Sequence, residues 1–226
     1  MSPPPPAADP RVRVVLRPLA SPFALGFIAL AGSALMSAGL DLRWIPGGEQ
    51  TQVGILILVF TPVPQLVASV FGFLCRDPVA GTGMGIIAAS WTARGITLLL
   101  TAPHAHSEVL GTLLLVSAAG IAISALEAAS GKLVPALVMS TTATHFLLSA
   151  LQQLAGGTGL RYASGIVGLA LTGLALYAAA SLALEDLRRK TVLPTGRRGL
   201  GRAAMDDDLD GQVADVATEA GVRRQL

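Results

Sequence analysis

Two side chains draw attention because of where they lie. Arg94 and His145 each sit inside a long apolar stretch, and the other long stretches hold almost no charge. An arginine inside a membrane span costs at least about 2.5 kcal/mol on insertion scales, unless its head reaches the interface or finds a partner. Arg94 lies about seven residues from the end of its stretch. Its stem can therefore carry the guanidinium to the nearer interface, or the guanidinium can draw anions into a vestibule. His145 is near the middle of its stretch and has no such escape. It is either a neutral imidazole bonded to a neighbouring helix or a pH-sensitive group on a proton-coupled path.

The polar residues around these two recur at helical spacing. Thr141, His145, Ser149 and Gln152 share one face; Thr61, Gln65, Ser69 and Gly72 share a second; Gly83, Ile87, Ser90 and Arg94 share a third. Positions i, i+4, i+7 or i+8, and i+11 fall on one side of an α-helix. Such a stripe avoids lipid and faces either another helix or a wet path.

Catalytic chemistry has little to work with. No His, Cys, Asp and Glu residues show metal-ligand spacing, and His104 and His106 stand alone in a short loop. No glycine-rich phosphate loop follows a strand, and no nucleophile, base and acid fall together. The chain is therefore expected to be no enzyme, with no metal site and no cofactor. One cysteine, Cys75, excludes an intrachain disulfide.

The elements that must position Arg94 and His145 follow from composition. Hydrophobic residues make up 52% and charged residues 13%, against about 25% charged in a soluble domain. The charges cluster before Pro18 and after Glu185, whereas a water-soluble fold needs a wet face on every element. A spanning helix needs about 20 mostly apolar residues, and six segments qualify: Pro22–Leu40, Val53–Leu74, Val79–Thr101, Val109–Leu126, Leu133–Leu154 and Tyr162–Leu184. Turn residues separate them, among them Pro46-Gly47-Gly48, Asp77-Pro78, Pro103 and Gly156-Gly157. The expected fold is an all-α polytopic membrane protein, a bundle of six transmembrane helices. Residues 1–20 form a Pro-rich, disordered cytoplasmic segment, 21–187 the membrane domain, and 188–226 a polar cytoplasmic tail carrying the acidic run Asp206-Asp207-Asp208. No cleavable signal peptide is expected, because Pro3 to Pro6 run straight into Arg11, Arg13 and Arg17. The basic clusters flank apolar segments and read as topology signals rather than as a nucleic-acid surface.

Small residues at packing distance, Gly81 with Gly85 and Gly168 with Thr172, allow close helix approach. Pro62 and Pro64 interrupt the second span, and Pro135 lies near the start of the fifth.

Three segments together resemble one family. Ala20-Ser21-Pro22-Phe23-Ala24-Leu25-Gly26-Phe27 is similar to the Asn-Pro-Ala-Pro-Leu-Gly-Leu signature of the acetate uptake transporters, the succinate–acetate permease or YaaH-type family. Ser21 stands where that signature has Asn, and Ala24 where it has its second Pro. Gln65-Leu66-Val67-Ala68, with Phe73, Thr82 and Trp91 after it, resembles the family's Gln-Leu-Leu-Ala stretch and the region that follows. Arg189-Lys190-Thr191-Val192-Leu193-Pro194-Thr195-Gly196 is similar to its Arg-Thr-Val-Leu-Pro-x-Gly ending and is the most specific of the three. The resemblance implies six-helix proteins that pass acetate, sometimes succinate, coupled to protons, and that assemble as hexamers with one path per subunit. The family narrows its path with a Phe, a Tyr and a Leu, and those positions fall near Leu30, Ile87 and Thr142.

The expected function is a transporter or channel, a proton symporter, for a small monocarboxylate such as acetate in the plasma (inner) membrane. The expected path residues are Leu30, Gln65, Ile87, Arg94, Thr142 and His145. The partners are a small carboxylate, the lipid bilayer and further copies of the chain. Two other readings stay open: a channel for a small neutral solute such as urea or a short amide, and a structural or signalling membrane protein whose polar stripes are sealed between helices.

Orientation follows from the basic residues. With a cytoplasmic N-terminus, the inner segments hold Arg11, Arg13, Arg17, Arg76, Lys132, Arg188, Arg189 and Lys190, and the outer loops hold only Arg43 and Arg161. A reporter fused after Gly196 should thus read as cytoplasmic, and one inserted near Gly47 or Gly157 as external. An external signal from the C-terminal fusion would overturn the span count or its direction.

Overall fold

Helices apolar on every side bury only part of their surface against one another, and the remainder must face hydrocarbon. The computed structural model describes residues 21–198 except Arg76, His104 and Arg189. The N-terminal segment, the acidic run and the rest of the tail lie outside the described residues. Among the described residues, six helices long and apolar enough to cross a membrane run through Phe23–Asp41, Gly47–Leu74, Val79–Leu100, Glu108–Gly131, Leu133–Ala155 and Thr158–Arg188. Large apolar side chains such as Val59, Val70, Leu100, Val116 and Leu126 point outward. The protein is a polytopic, all-α membrane bundle.

The helices are α1 (Phe23–Asp41), α2 (Gln50–Phe60), α3 (Pro62–Leu74), α4 (Met84–Leu100), α5 (Glu108–Gly131), α6 (Leu133–Ala155) and α7 (Thr158–Arg188), with a 3₁₀ turn at Gly47–Glu49 and a π turn at Val79–Gly83. Their ends run past several of the expected boundaries. The first span continues through Asp41, and the sixth runs from Thr158 to Arg188 rather than from Tyr162 to Leu184. Spans pack against their neighbours in chain order, and α7 returns to pack on α1, so the six close into a ring.

Each irregularity has a local cause. The second span breaks into α2 and α3 at Thr61 because Pro62 and Pro64 cannot donate to the preceding turn. The Thr61 hydroxyl donates to the Ala29 carbonyl at 3.0 Å and contacts the Ser33 hydroxyl, so the break is stitched to α1. Pro135 falls in the first turn of α6, where a missing N–H costs nothing. Ser107 caps α5 by accepting from the Leu110 N–H at 3.2 Å.

The stripe on the second span is sealed helix to helix. Gln65 donates to the Gly26 carbonyl at 3.5 Å, and Ser69 to the Gly81 carbonyl at 2.5 Å. The small residues act inside the chain: Gly81 lies under the Phe73 ring, Gly85 against Ser69, and Gly168 against Ala38 and His145.

At the end opposite the loop between α1 and α2, the segment after α7 folds back. Leu133 N–H donates to Gly196 O and Val134 N–H to Thr195 O, both at 3.1 Å, while Arg198 N–H donates to Gly131 O at 2.8 Å. The first two satisfy amides that the first turn of α6 leaves free, and the third a carbonyl at the end of α5. Gly196 takes φ 65°, and a Cβ there would fall 2.6 Å from that of Leu133. Arg197 pairs with Glu185. Tyr177 OH donates to Pro194 O at 2.9 Å. Lys132, between α5 and α6, stands 5.9 Å over the Phe23 ring. Burial pushes its ammonium below the usual lysine range, nearby Arg197 adds to that, and Asp77 and Asp186 oppose it.

The closest helix approach predicts its own failure. A Cβ on Gly72 would lie 2.7 Å from the Ala80 backbone carbon. Gly72→Ala should cost about 1–3 kcal/mol through overpacking and lower the thermal midpoint in detergent. Gly173→Ala, whose Cβ meets nothing within 4 Å, should leave the midpoint where it was. Equal midpoints for the two variants would show that α3 and the π turn separate freely.

Candidate functional site

Three connections meet at one end of the ring: the turn after α1, the segment between α4 and α5, and the glycine turn between α6 and α7. Gly156 and Gly157 make that last turn with φ of 72° and 100°, values that favour glycine. Between the three connections lies a cavity of about 300 Å³, lined by Asp41, Arg43, Gln50, Arg94, His106 and Arg161 among others. Arg43 holds φ 63°, an uncommon conformation for a residue with a side chain.

Arg94 is turned into the bundle, only 6% exposed, rather than lying along lipid to reach the surface. Its Nη2 stands 3.6 Å from Asp41 Oδ1, and its Nη1 donates to Ser149 Oγ at 3.3 Å. Ser164 donates to Asp41 Oδ2 at 3.1 Å, and its hydroxyl lies 3.0 Å from that of Ser149. One cluster thus joins α1, α4, α6 and α7.

His145 lies below it, fully buried, with Nδ1 3.2 Å from the Ser164 carbonyl oxygen. A carbonyl can only accept, so Nδ1 carries the hydrogen and Nε2 keeps its lone pair. The ring stacks on Trp91 at 5.9 Å, and the Arg94 guanidinium lies 5.9 Å over the same indole. His145 Nε2, Trp91 Nε1 and Arg94 Nε have no hydrogen-bond partner among the described residues.

The expected path residues therefore divide. Arg94 and His145 come together around Trp91, Ser149 and Ser164. Gln65 sits against α1, with its Oε1 unpaired among the described residues. Leu30, Ile87 and Thr142 have no exposed surface, and the Thr142 hydroxyl donates to Val138 O on its own helix at 2.8 Å. The open cavity stops at Arg94. Among the motif residues, Pro22 precedes α1, Gly26 lies against Met84 and Ala68, and the Ser21 N–H donates to Asp186 at 3.0 Å. Leu25, Thr191, Val192 and Pro194 are exposed, Leu193 is half-buried, and Gly196 belongs to the fold-back described above.

Asp41 is the residue that sequence reasoning missed, because the first span was ended at Leu40. A signal existed. Ser33, Ser37 and Asp41 recur every fourth residue, and all three are buried.

No protein-family model matches the sequence, and no curated protein matches it. Among solved structures, the chain is similar to that of the bacterial acetate channel SatP, with a TM-score of 0.70 and 20% identity over 79% of this chain and 99% of that one. At that identity the likeness is one of fold.

The burial of Arg94 sets a salt test. Steering by a charge at the cavity floor is screened beyond roughly 10 Å at about 0.1 M salt. Arg94→Gln should weaken anion entry into liposomes at low salt more than at high salt. Uptake unchanged at every salt concentration would leave Arg94 as a partner for Asp41 and nothing more.

Proposed function

We propose that the protein is a proton-coupled channel or transporter for a small monocarboxylate such as acetate, with succinate as a second candidate. The carrying observation is the cavity that ends on Arg94, with three arginines and amide side chains around its wall. The similarity in fold to a structure named as an acetate channel supports the same reading, as do the three motif segments. The basic-residue count supports an orientation in which the cavity opens on the outer face, and Arg43 and Arg161 of the loops expected there line it.

Below the floor, the unpaired atoms suit a protonated acid. Trp91 Nε1 offers a hydrogen and His145 Nε2 a lone pair. A carboxylic acid offers the complement, one carbonyl acceptor and one O–H donor. Leu30 and Ile87 then serve as the dry, apolar narrowing that stops hydrated ions. Thr142 and Gln65 stand as further path residues. The alanine-lined groove between α5 and α6, about 700 Å³, favours a homo-oligomer, and the family resemblance points to a hexamer in the plasma (inner) membrane with both ends cytoplasmic.

Uptake of labelled acetate into liposomes at two pH values tests this reading. Uptake should be faster with the acidic side outside and should carry protons with it. His145→Gln, compared per folded molecule between about pH 5 and 8 around the usual histidine range, should change the shape of the pH profile. An unchanged shape would make His145 a packing residue. Urea uptake at a matching rate without pH dependence would replace the carboxylate by a neutral solute, and no flux of either would leave a structural protein.

A further inference from the structure

Among the described residues that line the cavity, Asp41 is the sole carboxylate. It ends α1, where the unpaired carbonyls of the last turn disfavour negative charge. What holds it there is Arg94 at 3.6 Å and the Ser164 hydroxyl at 3.1 Å. The ion pair is loose. A guanidinium–carboxylate hydrogen bond normally closes to about 2.7–2.9 Å and is often bidentate, whereas here a single Nη2 approaches a single oxygen. Arg94 Nε has no partner among the described residues, and Nη1 reaches Ser149 only at 3.3 Å. The guanidinium is thus engaged but not saturated, and both partners border open space.

We propose that Asp41 is the resident occupant of the anion site. Its carboxylate stands on Arg94 where an incoming monocarboxylate docks, and the substrate binds by exchange. In the exchange the Asp41 carboxylate gives up Arg94 and takes one proton from the bulk solution, delivered as hydronium through the cavity. The substrate anion then pairs with Arg94, so the net charge of the site does not change. The proposal rests on the carboxylate reading of the cavity and adds its coupling site.

The surroundings agree with this assignment. The groups that face Asp41 are Arg94 from α4, Arg161 and Ser164 from α7, and Arg43 from the turn after α1, with His106 across the cavity and His145 of α6 beneath. With Asp41 ionised, the Arg94 charge is answered from within the protein. An arriving anion must therefore compete, which keeps its binding weak enough for release, as conduction requires. The Ser164 hydroxyl can donate to an ionised Asp41 or accept from a protonated one, so the acid keeps a partner in both states.

The test uses the full chain in lipid nanodiscs and trifluoroacetate, an anion that stays ionised over the whole range, so that any pH dependence belongs to the protein. Its affinity for wild type should rise as pH falls from 7 to 4, approaching roughly tenfold per unit for one linked proton, with a proton taken up for each anion bound in weak buffer. Asp41→Asn, which mimics the protonated acid, should bind at pH 7 about as tightly as wild type does at pH 4, and its affinity should be flat with pH. His106→Gln and His145→Gln should keep the wild-type slope, even where His145→Gln alters the pH profile of uptake. If Asp41→Asn does not fold, the slope in wild type and in the two histidine variants decides alone. A flat wild-type affinity, weaker binding by a folded Asp41→Asn, or loss of the slope in either histidine variant would overturn the exchange. Failure of wild type to bind trifluoroacetate, acetate or propionate at any pH would instead remove the carboxylate reading on which the exchange rests.

Discussion

A carboxylate and a guanidinium 3.6 Å apart, each nearly enclosed, form the contact around which one end of this bundle is arranged. Only the cavity side of either charge can meet water, and breaking a buried pair from one side costs about 3–5 kcal/mol. The pair therefore constrains the helices that carry it. Asp41 is on α1 and Arg94 on α4, two helices that otherwise make little contact, while Ser149 and Ser164 bring α6 and α7 to the same point. The close approach of α2 to α4 at Gly54 and Gly95, one residue from Arg94, belongs to the same arrangement. Elsewhere the bundle is held by small residues and dispersion, because burial against a helix gains little over burial in lipid.

The opposite end handles its polar groups by tying backbone to backbone. There the backbone of Thr195, Gly196 and Arg198 meets the chain between Gly131 and Val134. This gives the most specific of the three sequence motifs a structural account. Pro194 presents its carbonyl to Tyr177, Thr195 turns its hydroxyl toward Glu185 at 3.5 Å, and Gly196 passes Leu133 with a backbone that leaves no room for a Cβ. One end thus spends its polar groups on a wall open to solvent, and the other ties them to one another.

The six spans were legible because length and lack of charge are hard to counterfeit over about 20 residues. The polar stripes were legible too, and the buried Thr61, Gln65, Ser69 and Gly72 face shows why periodicity works. Boundaries were not. A helix end depends on which loop residue finds a partner, and that partner is remote in sequence. An error of one residue at Leu40 placed Asp41 in a loop, and a similar error at Leu184 did the same to Glu185, which the structure buries against Arg197. Trp91 carried no signal as a site residue, since an indole in an apolar helix looks like core until its N–H is found without a partner. The π turn at Val79–Gly83, which packs closely against Gly72, was not foreseen either.

The arrangement as a whole separates two tasks that one charged residue cannot perform alone. On the proposed carboxylate reading, the arginine at the cavity floor would gather anions, but a carboxylate that stayed ionised would have to pass side chains with no exposed surface, Leu30, Ile87 and His145 among them, and desolvation of an unpaired ion is prohibitive there. A neutral acid faces a far smaller barrier but is not attracted by charge. A site that gathers the anion must therefore be followed by a place where the proton joins it. Arg94 and Asp41 border the open cavity, and His145 lies one turn deeper than Ser149 on α6. On the proposed reading, proton coupling would follow from this order of environments, charged and wet first, dry and apolar afterwards.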